Sequence, residues 1–282
     1  MDQQQRAARQ RQIAAELHVA DQFDAAREIE RRVSFLAGYL RASGLSTYVL
    51  GISGGVDSST AGRLAQLAVE HLRASQYDAR FVAMRLPYGV QHDEHDAQQS
   101  LAFIRPDEML TVDIHPAADA MLASLNASGL TFADSSQQDF VHGNIKARAR
   151  MIAQYAAASA RRGMVIGTDH AAESVMGFFT KFGDGGADVL PLAGLTKRRV
   201  RLLATALGAG AALVHKVPTA DLEMLRPQRP DEDAYGIRYD DIDDFLEGKP
   251  VSETVFDTVM RFYDSTRHKR ALPYTPFDSL SE

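Results

Sequence analysis

Cysteine is absent from all 282 residues. That excludes disulfides, thiolate metal sites and a cysteine nucleophile within the chain. No run of about 18 apolar residues occurs, so no membrane-spanning helix is expected. A positive balance is lacking too. The net charge is −6, which argues against general nucleic-acid binding, a task that calls for a basic surface. Residues Met1 to Arg6 are polar and carry no apolar signal core, so a cytoplasmic protein is expected. There is no internal repeat and no low-complexity segment. What is present is 45% hydrophobic and 24% charged, enough to bury a full core. No domain boundary is visible, so one domain over 1–282 is expected.

The most informative stretch runs from Tyr48 to Ser59. It opens apolar and β-branched, as a buried strand does. It then reads S-G-G-V-D-S-S-T from Ser53 to Thr60, and Ala61, Leu64, Ala65, Ala68 and Leu72 follow at helical spacing. Strand, glycine turn and helix make a phosphate cradle. Gly54 and Gly55 allow backbone angles that aim successive N–H groups at one point. The helix start adds unpaired N–H groups and the positive end of its dipole. Ser53, Ser58 and Ser59 add hydroxyls. Asp57 would repel phosphate unless a divalent cation lies between them, so it is a candidate magnesium ligand. The stretch is not a Walker A loop, because it has no lysine ahead of its Ser/Thr pair. Its bland alternative is a tight turn with a helix cap.

The rest of the chain alternates. Residues from about 3 to 42 read as one helix ended by Gly44, with Ile29, Val33, Leu36 and Leu40 as its buried stripe. Further strands are expected at Phe81 to Leu86, Met109 to Ile114 and Met164 to Gly167. Helices are expected at His92 to Ile104, from Pro116 to Gly129, and at Gln138 to Arg162. This alternation means an α/β fold, a parallel sheet with helices on both faces. Ligands of such sheets bind at strand carboxyl ends. The phosphate turn lies at one such end and Thr168, Asp169 and His170 at another. Pro218 to Asp233 reads as a long surface loop, and Ala220 to Asp233 as a lid over the site. Ser252 to Arg270 reads as an amphipathic helix with Val255, Val259, Phe262 and Tyr263 on one face. Helices in 1–45 and 252–271 are expected to be packing or dimer elements.

Several polar clusters have two readings each. The basic stretch Gly143 to Met151 is a solvated face, or it offers Lys146 or Arg148 to an anion. Glu173 is a helix-dipole partner, or a second magnesium carboxylate facing Asp57. His170 reads as a helix start and is kept out of the metal set. The four cations of Leu195 to Arg201 and the basic end Arg267 to Arg270 each suit a solvated helix.

Taken in order, S-G-G-x-D-S, G-N-x-K-A-R-x-R-M, G-T-D-H-A-A-E, G-F-F-T-K-F-G-D-G-G-A-D, L-T-K-R, P-T-A-D-L, D-E-x-A-Y-G, D-x-x-D-x-x-L-E-G and H-K-R resemble the ammonia-dependent NAD synthetases, from about Ile29 to Arg270. One departure is Val56, where many members carry glutamine. The resemblance implies a Rossmann-like sheet of the adenine-nucleotide alpha hydrolase type and a homodimer. It implies a ligase that amidates deamido-NAD with ammonia, uses ATP as co-substrate with magnesium, and releases AMP and pyrophosphate. The family's ATP positions fall on Gly51, Ile52, Ser53, Gly54, Gly55, Val56, Asp57, Ser58, Thr168, Lys197 and Thr219. Its magnesium carboxylates fall on Asp57 and Glu173, and its deamido-NAD positions on Arg148, Lys181, Asp188, His268 and Lys269. Asp57, Glu173, Lys197 and Asp188 are the expected catalytic set, with Asp188 the candidate for holding ammonium. A GMP synthetase core is the rival enzyme, and it lacks the G-F-F-T-K-F-G-D-G-G run. A non-catalytic nucleotide sensor is the rival from another class, and it would not need Glu173 or Lys197.

Overall fold

The apolar run around Tyr48 forms strand β1 (Thr47–Gly51) in the computed structural model. That structure describes residues 1–89, 94–220, 222, 224–225, 229–271 and 273–278. β1 lies inside a four-stranded sheet with β2 (Arg80–Arg85), β3 (Glu108–Thr111) and β4 (Gly163–Val165). The order is β3-β2-β1-β4 and every pairing is parallel, Tyr48 lying opposite both Phe81 and Met164. An isolated parallel bridge, Ile166 to Val189, extends the β4 edge towards its carboxyl end.

Both faces are covered, as expected. Tyr48, Leu50, Phe81, Ala83 and Met164 enter one buried cluster. That cluster includes side chains of α2 (Ala25–Ala42), α3 (Val56–Ala74), α4 (Glu94–Ile104), α8 (Lys197–Ala206) and α9 (Ala211–Val214). Val49, Val82, Met84 and Val165, the alternate positions, enter another. That one is closed by α5 (His115–Ala127) and α6 (Ser135–Ala160). Period-two alternation sends neighbouring side chains to opposite faces, and with both faces dry the inner strands β1 and β2 read as nearly unbroken apolar runs, whereas the edge strand β3 leaves Met109 and Thr111 exposed. A third cluster draws on helices and the loops between them, with no strand. It joins α1 (Gln3–Glu16), α7 (Ala171–Met176), α10 (Asp231–Tyr235), α11 (Tyr239–Leu246) and α12 (Glu253–Ser265). No helix among the described residues is long and apolar enough to cross a membrane.

Four expectations need correction. The single helix over about 3–42 is two helices, α1 and α2. His18 turns the chain at φ 58, and the Asp24 side chain caps α2 by accepting from the Arg27 N–H at 2.8 Å. The break lets Ile13 pack in the helical cluster while Leu36 and Leu40 pack against the sheet. The third strand stops at Thr111, and Ile114 instead caps α5. The tail helix ends at Ser265 and is followed by one 3-10 turn, Arg267–Lys269. The long loop from Pro218 contains a two-stranded antiparallel pair, β5 (Thr219–Ala220) and β6 (Arg229–Pro230), and then α10. The expected lid falls partly on residues 221, 223 and 226–228, which lie outside the described residues.

Candidate active site

The chain leaves β1 at Gly51 and enters α3 at Val56. Between them Gly54 sits at φ +82, and a Cβ there would meet the Ala97 backbone N at 3.1 Å. Glycine is therefore required on conformational and steric grounds. Gly55 is the N-cap and brings no side chain to the first turn, so the N–H groups there are free to face an anion. Ser53 Oγ lies 3.1 Å from Ser58 Oγ. Ser59, expected as a third hydroxyl for the ligand, is committed to the fold. Its Oγ is hydrogen-bonded to Gly55 O at 2.7 Å and to Ser100 Oγ at 2.9 Å.

Beside this turn stands a buried charged wall. Asp57 is in the first turn of α3, and Lys197 is fully buried at the start of α8. Lys197 Nζ donates to Asp57 Oδ2 at 2.7 Å and is 3.8 Å from Glu173 Oε1. Its ring contact is Tyr239, whose centroid is 4.9 Å from Nζ. The backbone around Lys197 is pinned from α11. Asp243 accepts from the N–H of Lys197 at 2.9 Å and from that of Arg198 at 2.7 Å. Burial by itself would drive the Lys197 pKa down, but Asp57 and Glu173 outweigh it and hold the value up. The converse applies to Asp57. Burial raises its pKa, while Lys197 and then His170 bring it below the ordinary value. Both partners therefore stay charged.

Asp57 Oδ1 is buried and has no hydrogen-bond partner. Asp57, His170 and Glu173 each offer one ligand atom, all within 4.8 Å of one another. An orphaned carboxylate oxygen beside a second carboxylate suits a hard, oxygen-seeking cation. His170 does cap α7, as its bland reading said, with Nδ1 accepting from the Glu173 N–H at 3.4 Å. Its other nitrogen also faces the carboxylates, which the sequence did not disclose.

The wall borders a cavity of about 460 Å³. Gly51, Ile52, Ser53, Gly55, Val56, Asp57, Ser58, Thr168, Glu173 and Lys269 line it. Lys269 Nζ is held by the carbonyls of Gly177 and Phe179 at 2.9 and 2.8 Å. Thr219 lies in β5, and its side chain is outside the described residues. The remaining expected residues do not line the cavity. Arg148 donates to Lys181 O at 3.2 Å, and Lys181 Nζ donates to His268 O. Asp188 is exposed, with its carboxylate accepting from Val165 N–H at 2.7 Å and Tyr155 Oη at 3.2 Å.

Two carboxylates that the sequence left unmarked do line the cavity. Asp231 is 7% exposed, accepts from Tyr239 Oη at 2.9 Å and leaves Oδ1 without a partner. Burial pushes its pKa up to about 6. Asp184 accepts from Thr180 N–H at 2.8 Å. Its open edge faces the cavity, yet the protein around it excludes enough bulk water to push its pKa up to about 6 as well. Gln154 also lines the cavity and accepts from the Gly51 N–H at 2.7 Å.

Comparison with known proteins gives a consistent result. The profile of the family described as NAD synthase matches residues 28–273. The NH(3)-dependent NAD(+) synthetase of Paraburkholderia phytofirmans is 76% identical over 278 residues, which is 99% of this chain and 97% of that protein. The crystal structure of NAD+ synthetase from Burkholderia pseudomallei is 73% identical, covers 95% of this chain and 98% of its own, and superposes with a TM-score of 0.83. NMN synthetase from Francisella tularensis is 34% identical, with coverage of 91% and 100% and a TM-score of 0.78.

Proposed function

The chain belongs to the NAD synthase family, and from that membership we propose how its own residues divide the work. The reaction is the ATP-dependent amidation of deamido-NAD with ammonia to give NAD. A carboxylate does not take an amine directly, because oxide is too poor a leaving group. Attack of the nicotinate carboxylate on the α-phosphorus of ATP expels pyrophosphate and leaves an acyl-adenylate. Ammonia then adds to the activated carbonyl, AMP leaves, and a proton is lost from nitrogen.

In this proposal the turn from Gly51 to Ser58 holds ATP, with the phosphates at the N–H groups that open α3 and at the Ser53 and Ser58 hydroxyls, and Thr168 and Thr219 complete the nucleotide contacts. Lys197 neutralises charge that builds on the phosphates as pyrophosphate departs. Asp57 and Glu173 would hold magnesium, whose part is to offset phosphate charge. The observation that carries the reading is the fully buried Lys197 ion-paired to Asp57 beside the glycine turn, with Asp57 Oδ1 left free. Arg148, Lys181, His268, Lys269 and Asp188 would hold deamido-NAD. Of the two aspartates in the glycine-rich run, only Asp184 lines the cavity. Ammonium is therefore reassigned from Asp188 to Asp184, since the Asp188 carboxylate lies outside the cavity.

A homodimer completes the proposal. Met121, Leu130, Phe140 and Ile152 are exposed on or beside α5 and α6, and a second copy would cover them and border the dinucleotide. ATP and deamido-NAD as co-substrates suit a cytoplasmic setting. The test is NAD formation by purified protein from deamido-NAD, ATP, magnesium and an ammonium salt. Ammonia-free glutamine should not replace the salt, because the chain has no cysteine to attack an amide. Nicotinate mononucleotide, offered because of the mononucleotide-named relative, should be the poorer acceptor. Equal rates with glutamine, or preference for the mononucleotide, would overturn the assignment.

A further inference from the structure

Helix α8 begins with charge of the wrong sign. Lys197, Arg198 and Arg199 fill its first turn with no acidic residue among them, although the positive end of a helix dipole disfavours cations. The offsetting charge comes from α11. Asp240, Asp243, Asp244 and Glu247 recur there at spacings of three and four, which puts them on one helical face. They belong to the D-x-x-D-x-x-L-E-G run, which does not line the cavity.

Two of these carboxylates hold α8 in different ways. Glu247 takes side chains, accepting from Arg198 Nη1 at 2.8 Å and from the Thr196 hydroxyl at 3.1 Å. Asp243 is buried and takes backbone. Its Oδ1 accepts from the Lys197 N–H at 2.9 Å and its Oδ2 from the Arg198 N–H at 2.7 Å. A helix start leaves such N–H groups without partners inside the helix, so one carboxylate fixes two consecutive residues. Four residues earlier on α11, the Tyr239 ring lies 4.9 Å from Lys197 Nζ. Lys197 is thus held by α11 at its amide and at its ammonium.

We infer that Asp243 is a positioning residue for Lys197: by binding two successive N–H groups it fixes the root of the lysine side chain, so that the ammonium meets Asp57 and the ATP phosphates in one place. A lysine stem is four carbons long and flexible, and a small displacement of its root moves the charge away from where it is needed. The inference rests on the proposed role of Lys197 in neutralising phosphate charge.

The test is a double-mutant cycle on the full chain, read as the rate of pyrophosphate release with ATP, magnesium, deamido-NAD and an ammonium salt saturating. Asp243→Asn is nearly isosteric and leaves one oxygen for two N–H groups. It should lower the rate by about 10- to 100-fold. Lys197→Ala should lower it by about 10²- to 10³-fold. Added to Lys197→Ala, Asp243→Asn should cost less than about twofold more, because it acts through the residue already removed. Glu247→Gln should lower the urea midpoint and leave the rate at the wild-type level. A wild-type rate in Asp243→Asn overturns the inference. So does an equal loss with and without Lys197, or a loss in Glu247→Gln as large as in Asp243→Asn, since either is what a merely structural role gives. Should Asp243→Asn fail to fold, Asp243→Glu, which keeps the charge and displaces both oxygens, enters the same cycle with the same expectation. A wild-type rate in Lys197→Ala overturns instead the reading of Lys197 beneath it.

Discussion

The nucleotide end of the cavity and the dinucleotide end are built in different ways. At the nucleotide end one chain supplies a closed arrangement. Lys197 is fully buried, paired to Asp57 and fixed through Asp243. At the dinucleotide end Arg148, Lys181 and His268 touch one another only through backbone carbonyls and lie outside the cavity. A buried pair has its geometry set by packing before any ligand arrives, and loses several kcal/mol if one member is removed. Exposed cations keep their water and their freedom, so they act only when a ligand is present. The first end is thus a preformed device for charge, and the second, under the proposed assignment, a set of handles for a large substrate.

The largest effect should come from breaking the preformed end. Asp57→Ala and Glu173→Ala should each lower pyrophosphate release on the order of 10²- to 10³-fold or more, the scale for losing one electrostatic element of a reaction site. Wild-type pyrophosphate formation with magnesium present would remove that residue from the metal site.

A smaller effect sharpens the same contrast, because a preformed charged wall costs stability. Burial raises Asp231 from an ordinary 3.8 to about 6 in the fold, so folding favours its neutral form. Its fit is therefore fully present below the unfolded value and is lost as pH rises through about 6. A rise of that size corresponds to at most about 3 kcal/mol. Asp231→Asn should be more stable than wild type by about 2 kcal/mol at pH 8 and equal to it near pH 4, by urea denaturation. A destabilised Asn variant at pH 8 would show that Asp231 is compensated by a partner when charged. No such gain is expected from the exposed dinucleotide end.

The phosphate turn was legible in the sequence because its requirement is local: Gly54 must take a positive φ and a helix must begin beside it. The parallel sheet was legible from strand and helix periods. Lys197 was legible only through the family resemblance, because four cations within five residues read as a solvated face, and what buries this one comes from distant segments, Asp57 of α3 and Tyr239 and Asp243 of α11. His170 read as a helix start, which is half of what it does. Asp184 and Asp188 sit four residues apart in one glycine-rich run, and spacing cannot say which turns inward. The break at residues 17–24 escaped because the stripes on either side are both helical, while the cores they serve are different.

The division of the site into two ends is tested most directly by the Michaelis constants. On the proposed assignment, Arg148→Ala and Lys181→Ala remove charged contacts to the dinucleotide, each worth about 1.5–3 kcal/mol. Each should raise the KM for deamido-NAD by roughly 10- to 100-fold and leave the KM for ATP within about twofold, measured with the other substrates saturating. A parallel rise in both constants, or a rise for ATP alone, would contradict the separation of the site into a preformed nucleotide end and an exposed dinucleotide end.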